Sequence, residues 1–219
     1  MPVSFVDLAQ SCAPLVAHET LAGVVSLESR FKPFNIRINS GPSLERQPAS
    51  KAEAIKIATA LAVEHQDIQL GLAGIGLDDL RKLKLTISDA FDLCLNLKAS
   101  ATLLDSFYRR AVKAGADNAR AERAMLQSFY GRGDPSVGST VKYDRQVQRE
   151  IQRLKPTIAS LTVGDPQDGP ASPDMIADVV AENSDKWGAS NITAPSWDVF
   201  NSRRRQSSIF VFQNKHGEE

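Results

Sequence analysis

Thr20-Leu21-Ala22-Gly23-Val24-Val25-Ser26-Leu27-Glu28-Ser29-Arg30, followed by Phe31-Lys32-Pro33, is the stretch on which the fold turns. Leu21, Val24, Val25 and Glu28 recur at i, i+3, i+4 and i+7. A helix over 20–30 therefore carries three aliphatic side chains and one carboxyl on a single face. Pro33 ends it, because proline disfavours the helical conformation in the residue before it. A carboxyl on an apolar face loses stability in its charged form through burial, and the negative end of the helix dipole acts in the same sense. An acid that keeps its proton near neutral pH is what a departing glycosidic oxygen needs. The same letters also fit a glutamate that reaches solvent from a helix end.

Outward from this segment the helical period repeats. Val3, Phe5 and Leu8 mark a helix over 3–12. Ser50 with Glu53 three residues later reads as a capping box opening a helix to about Glu64. Leu97, Ala101, Leu104, Tyr108 and Ala111 step along one face of a long helix over 95–115. Another spans 118–130 and stops at Gly131-Arg132-Gly133-Asp134-Pro135. Tyr143, Val147, Ile151 and Leu154 form the stripe of a last one over 143–154. Leu70-Gly71-Leu72-Ala73-Gly74-Ile75-Gly76 is too rich in glycine for a helix interior and reads as tight, close-packed backbone. It is too short for a nucleotide fingerprint flanked by a strand, so a dinucleotide loop is not expected. The expected fold is mainly α.

After Pro156 the periodicity dissolves. Gly164-Asp165-Pro166-Gln167-Asp168-Gly169-Pro170 offers too little apolar surface to offset the entropy of ordering it. The reading is a helical domain at 1–155 and a disordered tail at 156–219, with a short helix over 175–181. Trp187 and Trp197, the chain's two tryptophans, and Ile209-Phe210-Val211-Phe212 beside Arg203-Arg204-Arg205 have the chemistry of partner-binding anchors.

Lysine plus arginine and aspartate plus glutamate each number 26, so no global field attracts nucleic acid, and none is expected as a partner. Residues 156–219 hold five basic and nine acidic side chains, leaving 21 and 17 in 1–155, a mild basicity that suits an anionic polymer. No apolar run approaches the roughly 20 residues of a membrane span. The first residues lack the basic start and long apolar core of a signal peptide. Cys12 and Cys94 have no zinc-site spacing and no histidine cluster beside them, so neither metal nor cofactor is expected. The two either pair as a disulfide in an exported protein or remain buried thiols.

Glu28-Ser29-Arg30-Phe31-Lys32-Pro33 resembles the Glu-Ser-x-Phe-Asn-Pro segment of lytic transglycosylases related to goose-type lysozyme. In the family's order there follow Leu70-Gly71-Leu72-Ala73-Gly74-Ile75, similar to Gly-Leu-Met-Gln-Ile, and Asp89-Ala90-Phe91-Asp92-Leu93-Cys94-Leu95-Asn96-Leu97, similar to Phe-Asp-Pro-x-x-Asn-Leu. Phe129-Tyr130-Gly131-Arg132-Gly133 resembles the Tyr-Asn-x-Gly turn, and Tyr143-Asp144-Arg145-Gln146-Val147 the late Tyr-x-x-x-Val helix. With Cys12 and the Leu44-Glu45-Arg46-Gln47-Pro48 loop, the whole run over 3–155 most resembles the transglycosylases of type IV secretion and conjugation systems.

The resemblance implies a lysozyme-like helical domain in the periplasm that acts on peptidoglycan for a secretion apparatus, and the anchors in the tail are expected to dock it onto proteins of that apparatus. It makes Glu28 the single acid/base, cleaving between N-acetylmuramic acid and N-acetylglucosamine to leave a 1,6-anhydro sugar. Ser29, Gln69, Gly71, Leu72, Tyr130 and Tyr143 would support the glutamate and the sugar, although core packing on helical stripes also accounts for both tyrosines. Three positions depart from the pattern: Gly74 and Gly76 stand where the family has glutamine and asparagine, and Gln69 stands where a serine commonly precedes the motif. Lost hydrogen bonds there favour an alternative, a degenerate scaffold that binds glycan without cleaving it. A hydrolytic muramidase is a third reading. Restoring glutamine at 74 is expected to raise turnover.

Overall fold

Short polar side chains start most of the helices. Ser50 Oγ accepts from the Glu53 amide, Thr86 Oγ1 from Asp89, Asp92 Oδ1 from Leu95 and Asp117 Oδ1 from Arg120, at 2.8–3.2 Å. Each such cap is worth about 1 kcal/mol. The computed structural model describes residues 3–164. In chain order these form β1 (Val3–Ser4), α1 (Phe5–Cys12), α2 (His18–Ser29), β2 (Ile36–Ile38), α3 (Lys51–Val63), β3 (Ile68–Leu70) and β4 (Ile75–Gly76). There follow α4 (Leu77–Lys82), α5 (Ile87–Ala90), α6 (Leu93–Lys113), α7 (Asn118–Tyr130), α8 (Pro135–Thr140), α9 (Tyr143–Leu154), a 3-10 turn (Ile158–Ser160) and β5 (Thr162–Val163). The fold is mainly helical, as the periodicity requires.

Helix α2 runs through the core, with Leu21, Ala22, Val24 and Val25 wholly buried. Its closest neighbour is α9. A side chain at Gly23 would come within 3.0 Å of Val147 and Ile151, so the bare glycine is what lets the two helices approach. Ser26, Glu150 and Arg153 fasten the same contact by hydrogen bonds. Arg30 and Phe31 both take left-handed backbone (φ 53° and 62°), which stops α2 within two residues of Glu28. Phe31 is buried edge-on against Phe5, ring centroids 5.2 Å apart.

The segment read as tight backbone supplies the end of β3, a glycine turn and β4 of a three-stranded antiparallel sheet in the order β2-β3-β4. Its register pairs Ile36 with Leu70 and Leu70 with Ile75, and Arg37 with Gln69 and Gln69 with Gly76. Alternate residues face opposite ways along a strand. The Ile36-Leu70-Ile75 row is therefore in the core, and the Arg37-Gln69-Gly76 row faces away from it. Gln47 completes the outer edge, accepting from the Ile36 amide at 2.8 Å and donating to its carbonyl at 3.0 Å.

Packing continues beyond residue 155, where the sequence reading set the domain boundary. β5 pairs antiparallel with β1, and Leu161 and Val163 are buried in the common core. Too few residues carry that return for a period to show. Cys12 and Cys94 form a disulfide joining the end of α1 to the start of α6, so the disulfide alternative holds and the free-thiol one does not. The anticipated helix at 175–181, both tryptophans and the 209–212 strip lie outside the described residues.

Candidate active site

Glu28 is the penultimate residue of α2, and its side chain is 2% exposed. Two elements hold the carboxyl. The hydroxyl of Tyr143, the first residue of α9, donates to Oε1 at 2.6 Å. From β2 the guanidinium of Arg37 donates to Oε2. Asn35 Nδ2 caps the Glu28 carbonyl at 3.2 Å, satisfying one of the free carbonyls at the helix end.

Burial pushes the Glu28 carboxyl above its ordinary pKa, while Arg37, the Tyr143 hydrogen bond and the more distant Arg132 pull the other way. Burial prevails. Neither charged group acting on Glu28 is a carboxylate. Tyr143 is held well above its usual value by burial and then by the Glu28 charge, so it remains a donor. Tyr130 packs against it, ring centroids 4.9 Å apart.

Beside this acid lies a groove of about 340 Å³, lined by Arg37, Asn39, Gln69, Tyr130, Gly131, Arg132 and Val137. Gln69 accepts from Arg37 Nε at 2.7 Å, which orients the guanidinium between the groove and Glu28. Arg132, in the turn after α7, reaches back to Asp67 at the start of β3, with Nη1 to Oδ1 2.6 Å. That contact lowers the Asp67 pKa.

The structure therefore brings together Glu28, Gln69, Tyr130 and Tyr143. It does not bring in the other three expected residues. Ser29 donates back to the Val25 carbonyl at 3.2 Å, its hydroxyl used within the helix. Leu72 is 1% exposed and belongs to the core. Gly71 is a packing glycine: at φ +76°, a side chain there would sit 2.1 Å from the Ala90 carbonyl and 2.3 Å from Asn96 Nδ2. Asn96 in turn fastens the glycine turn, accepting from the Ala73 amide and donating to the Leu70 and Ala90 carbonyls.

Arg37 and Arg132 were not anticipated; the room beside the two unusual glycines is taken by the Glu28 carboxyl at Gly74 and by Arg132 at Gly76. A side chain at Gly74 would lie 2.9 Å from Glu28 Oε2, and one at Gly76 would lie 3.9 Å from Arg132.

Searches against known proteins found relatives in one group. The chain is 41% identical over 129 residues to the type IV secretion system protein VirB1 of Brucella abortus, covering 58% of this chain and 54% of that protein. It thus spans about half the length of the Brucella relatives it matches. Protein VirB1 of Agrobacterium fabrum is 31% identical over 201 residues, covering 89% of this chain and 76% of the relative. Protein VirB1 of Rhizobium radiobacter is 30% identical over 204 residues, covering 93% and 74%. No family model and no solved structure matches the chain.

Proposed function

The chain belongs to the VirB1 family of type IV secretion proteins, and from that premise we propose that it is a peptidoglycan lytic transglycosylase opening the wall locally for a secretion or conjugation apparatus. The observation that carries the reading is a buried carboxyl at a helix end, held by Tyr143 and Arg37 beside a groove with no carboxylate among its described lining residues. That arrangement suits a one-acid mechanism better than a two-carboxylate one.

Glu28 gives its proton to the oxygen linking N-acetylmuramic acid to N-acetylglucosamine as the C1–O bond breaks. The resulting carboxylate takes the proton of the muramyl 6-hydroxyl as that oxygen bonds to C1. Glu28 ends protonated, a 1,6-anhydro sugar forms, and no water is consumed. Tyr143 fixes Oε1 through both steps, while Gln69 and Tyr130 line the sugar's path. The Cys12–Cys94 disulfide supports a periplasmic location, because such bonds persist in oxidising compartments. No helix among the described residues is long and apolar enough to cross a membrane. Trp187, Trp197 and 209–212 beside Arg203 supply the chemistry of a docking segment for the apparatus.

The second reading, a glycan-binding scaffold, draws on Gly74 and Gly76, which offer no side-chain amide to a sugar. Mass spectrometry of sugars released from purified sacculi separates the cases: anhydro-muropeptides mark the transglycosylase, reducing ends a hydrolase, and no release the scaffold. Glu28→Gln should retain the fold and lose at least about 100-fold in release, since an amide cannot donate the acidic proton. Activity within twofold of wild type would remove Glu28 from its role.

A further inference from the structure

Both oxygens of the Glu28 carboxyl accept from donors in the free protein: Oε1 from Tyr143 and Oε2 from Arg37. A group required to give up a proton thus rests with both oxygens accepting and with a cation on Oε2 that opposes its protonation. The two donors differ. Tyr143 is neutral, buried and stacked on Tyr130. Arg37 is a permanent cation, with 37% of its side chain exposed on the groove. Its ion-pair partner is Glu28, whereas the neighbouring Arg132 is paired with Asp67. Arg37 is therefore the groove cation whose exchange of a protein carboxylate for a ligand's would release Glu28.

We propose that Arg37 makes the acid conditional on an anionic glycan: a carboxylate of the bound strand draws the guanidinium off Oε2, and only then does Glu28 hold the proton it donates. The ligand class is a glycan carrying free peptide carboxylates, and a neutral strand leaves the resting pair intact. This rests on the reading of Glu28 as the acid. The groups facing the carboxyl are Arg37 from β2, Tyr143 from α9 and Arg132 from the turn after α7, with Tyr130 and Asp67 behind the last two. Arg37→Met removes the first and leaves the others. Because a cation favours the charged carboxylate, its removal moves the alkaline limb of kcat/KM to higher pH. Arg37 is a positioning residue in this scheme, acting through Glu28.

The test uses the full chain and two substrates: purified glycan strands with free peptide carboxylates, and the same strands with those carboxylates capped as methylamides. At saturation, wild type should turn over the free strands roughly tenfold faster or more, the worth of one charge-assisted hydrogen bond. In Arg37→Met the ratio should fall toward one, and the alkaline limb should rise. A ratio near one in wild type, a ratio that persists in Arg37→Met, or an unmoved limb overturns the proposal. Infrared difference spectra of wild type, with Glu28→Gln as blank, read the proton without relying on the Arg37 variant. The carboxylic-acid band of Glu28 should grow at fixed pH with free strands and not with capped ones, and its failure to grow is equally fatal. If Glu28→Gln stays active, the acid has been misidentified. If that variant is inactive while the substrate ratio persists in Arg37→Met, only the gating role falls.

Discussion

At Gly74 the backbone is left-handed (φ +62°), and the space a side chain would enter is already bounded by Glu28 Oε2 at 2.9 Å. This reverses the expectation that glutamine there would restore activity. Gly74→Gln and Gly74→Ala should each lower stability by about 1–3 kcal/mol, the usual cost of a strained backbone position, and should reduce turnover by displacing the carboxyl from Tyr143 and Arg37. Thermal melts and sacculus assays check both effects, and a Gly74→Gln variant faster than wild type would refute this account. The face of Glu28 was legible in its helical period, whereas the stripe of Tyr143 fits core packing equally well and only the motif that contains it singled it out. Tyr130 was legible through the motif that contains it, and Gln69 only as a departure from the serine that commonly precedes the Leu70–Ile75 motif. Arg37 was not, since Ile36-Arg37-Ile38 alternates over only three residues, and the partner that aims its guanidinium, Gln69, lies 32 positions away. Arg132 sat unread inside a turn signal for the same reason: its partner Asp67 is distant in sequence.

Helices and strands were unequally legible. The helices over 118–130 and 143–154 were read to the residue, and those over 20–30 and 95–115 to within about two, because their apolar stripes are long and their caps local. The strands hold two or three residues each, below the length at which alternation declares itself. Helix α8, six residues opened by Asp134 and Pro135, was read only as a stop. The return through β5 was missed altogether, and it carries weight. Leu161 and Val163 are 7% and 2% exposed. Burying such side chains is worth about 1.5–3 kcal/mol each. A chain cut after residue 155 should therefore melt at least about 6 °C below one cut after residue 164, taking roughly 2–4 °C per kcal/mol for a domain of this size. Equal melting temperatures would show that the β1–β5 pair contributes nothing.

Across the molecule, the Cys12–Cys94 bond closes a loop of 82 positions. In the chain-entropy treatment such a closure is worth on the order of 4–5 kcal/mol. Replacing both cysteines with serine should lower the denaturation midpoint while leaving glycan cleavage by the folded fraction intact, because neither cysteine lines the groove. A variant as stable as wild type in chemical denaturation would assign the bond no stabilising role. The pairing of β1 with β5 has a consequence in time. Val3 leaves the ribosome 160 residues before its partner Val163. At about 5–20 residues per second, that strand waits roughly 8–32 s for the chain that completes it. Among the described residues, the strand made earliest is thus among the last to be satisfied, and until then its edge is open to whatever carries the nascent chain.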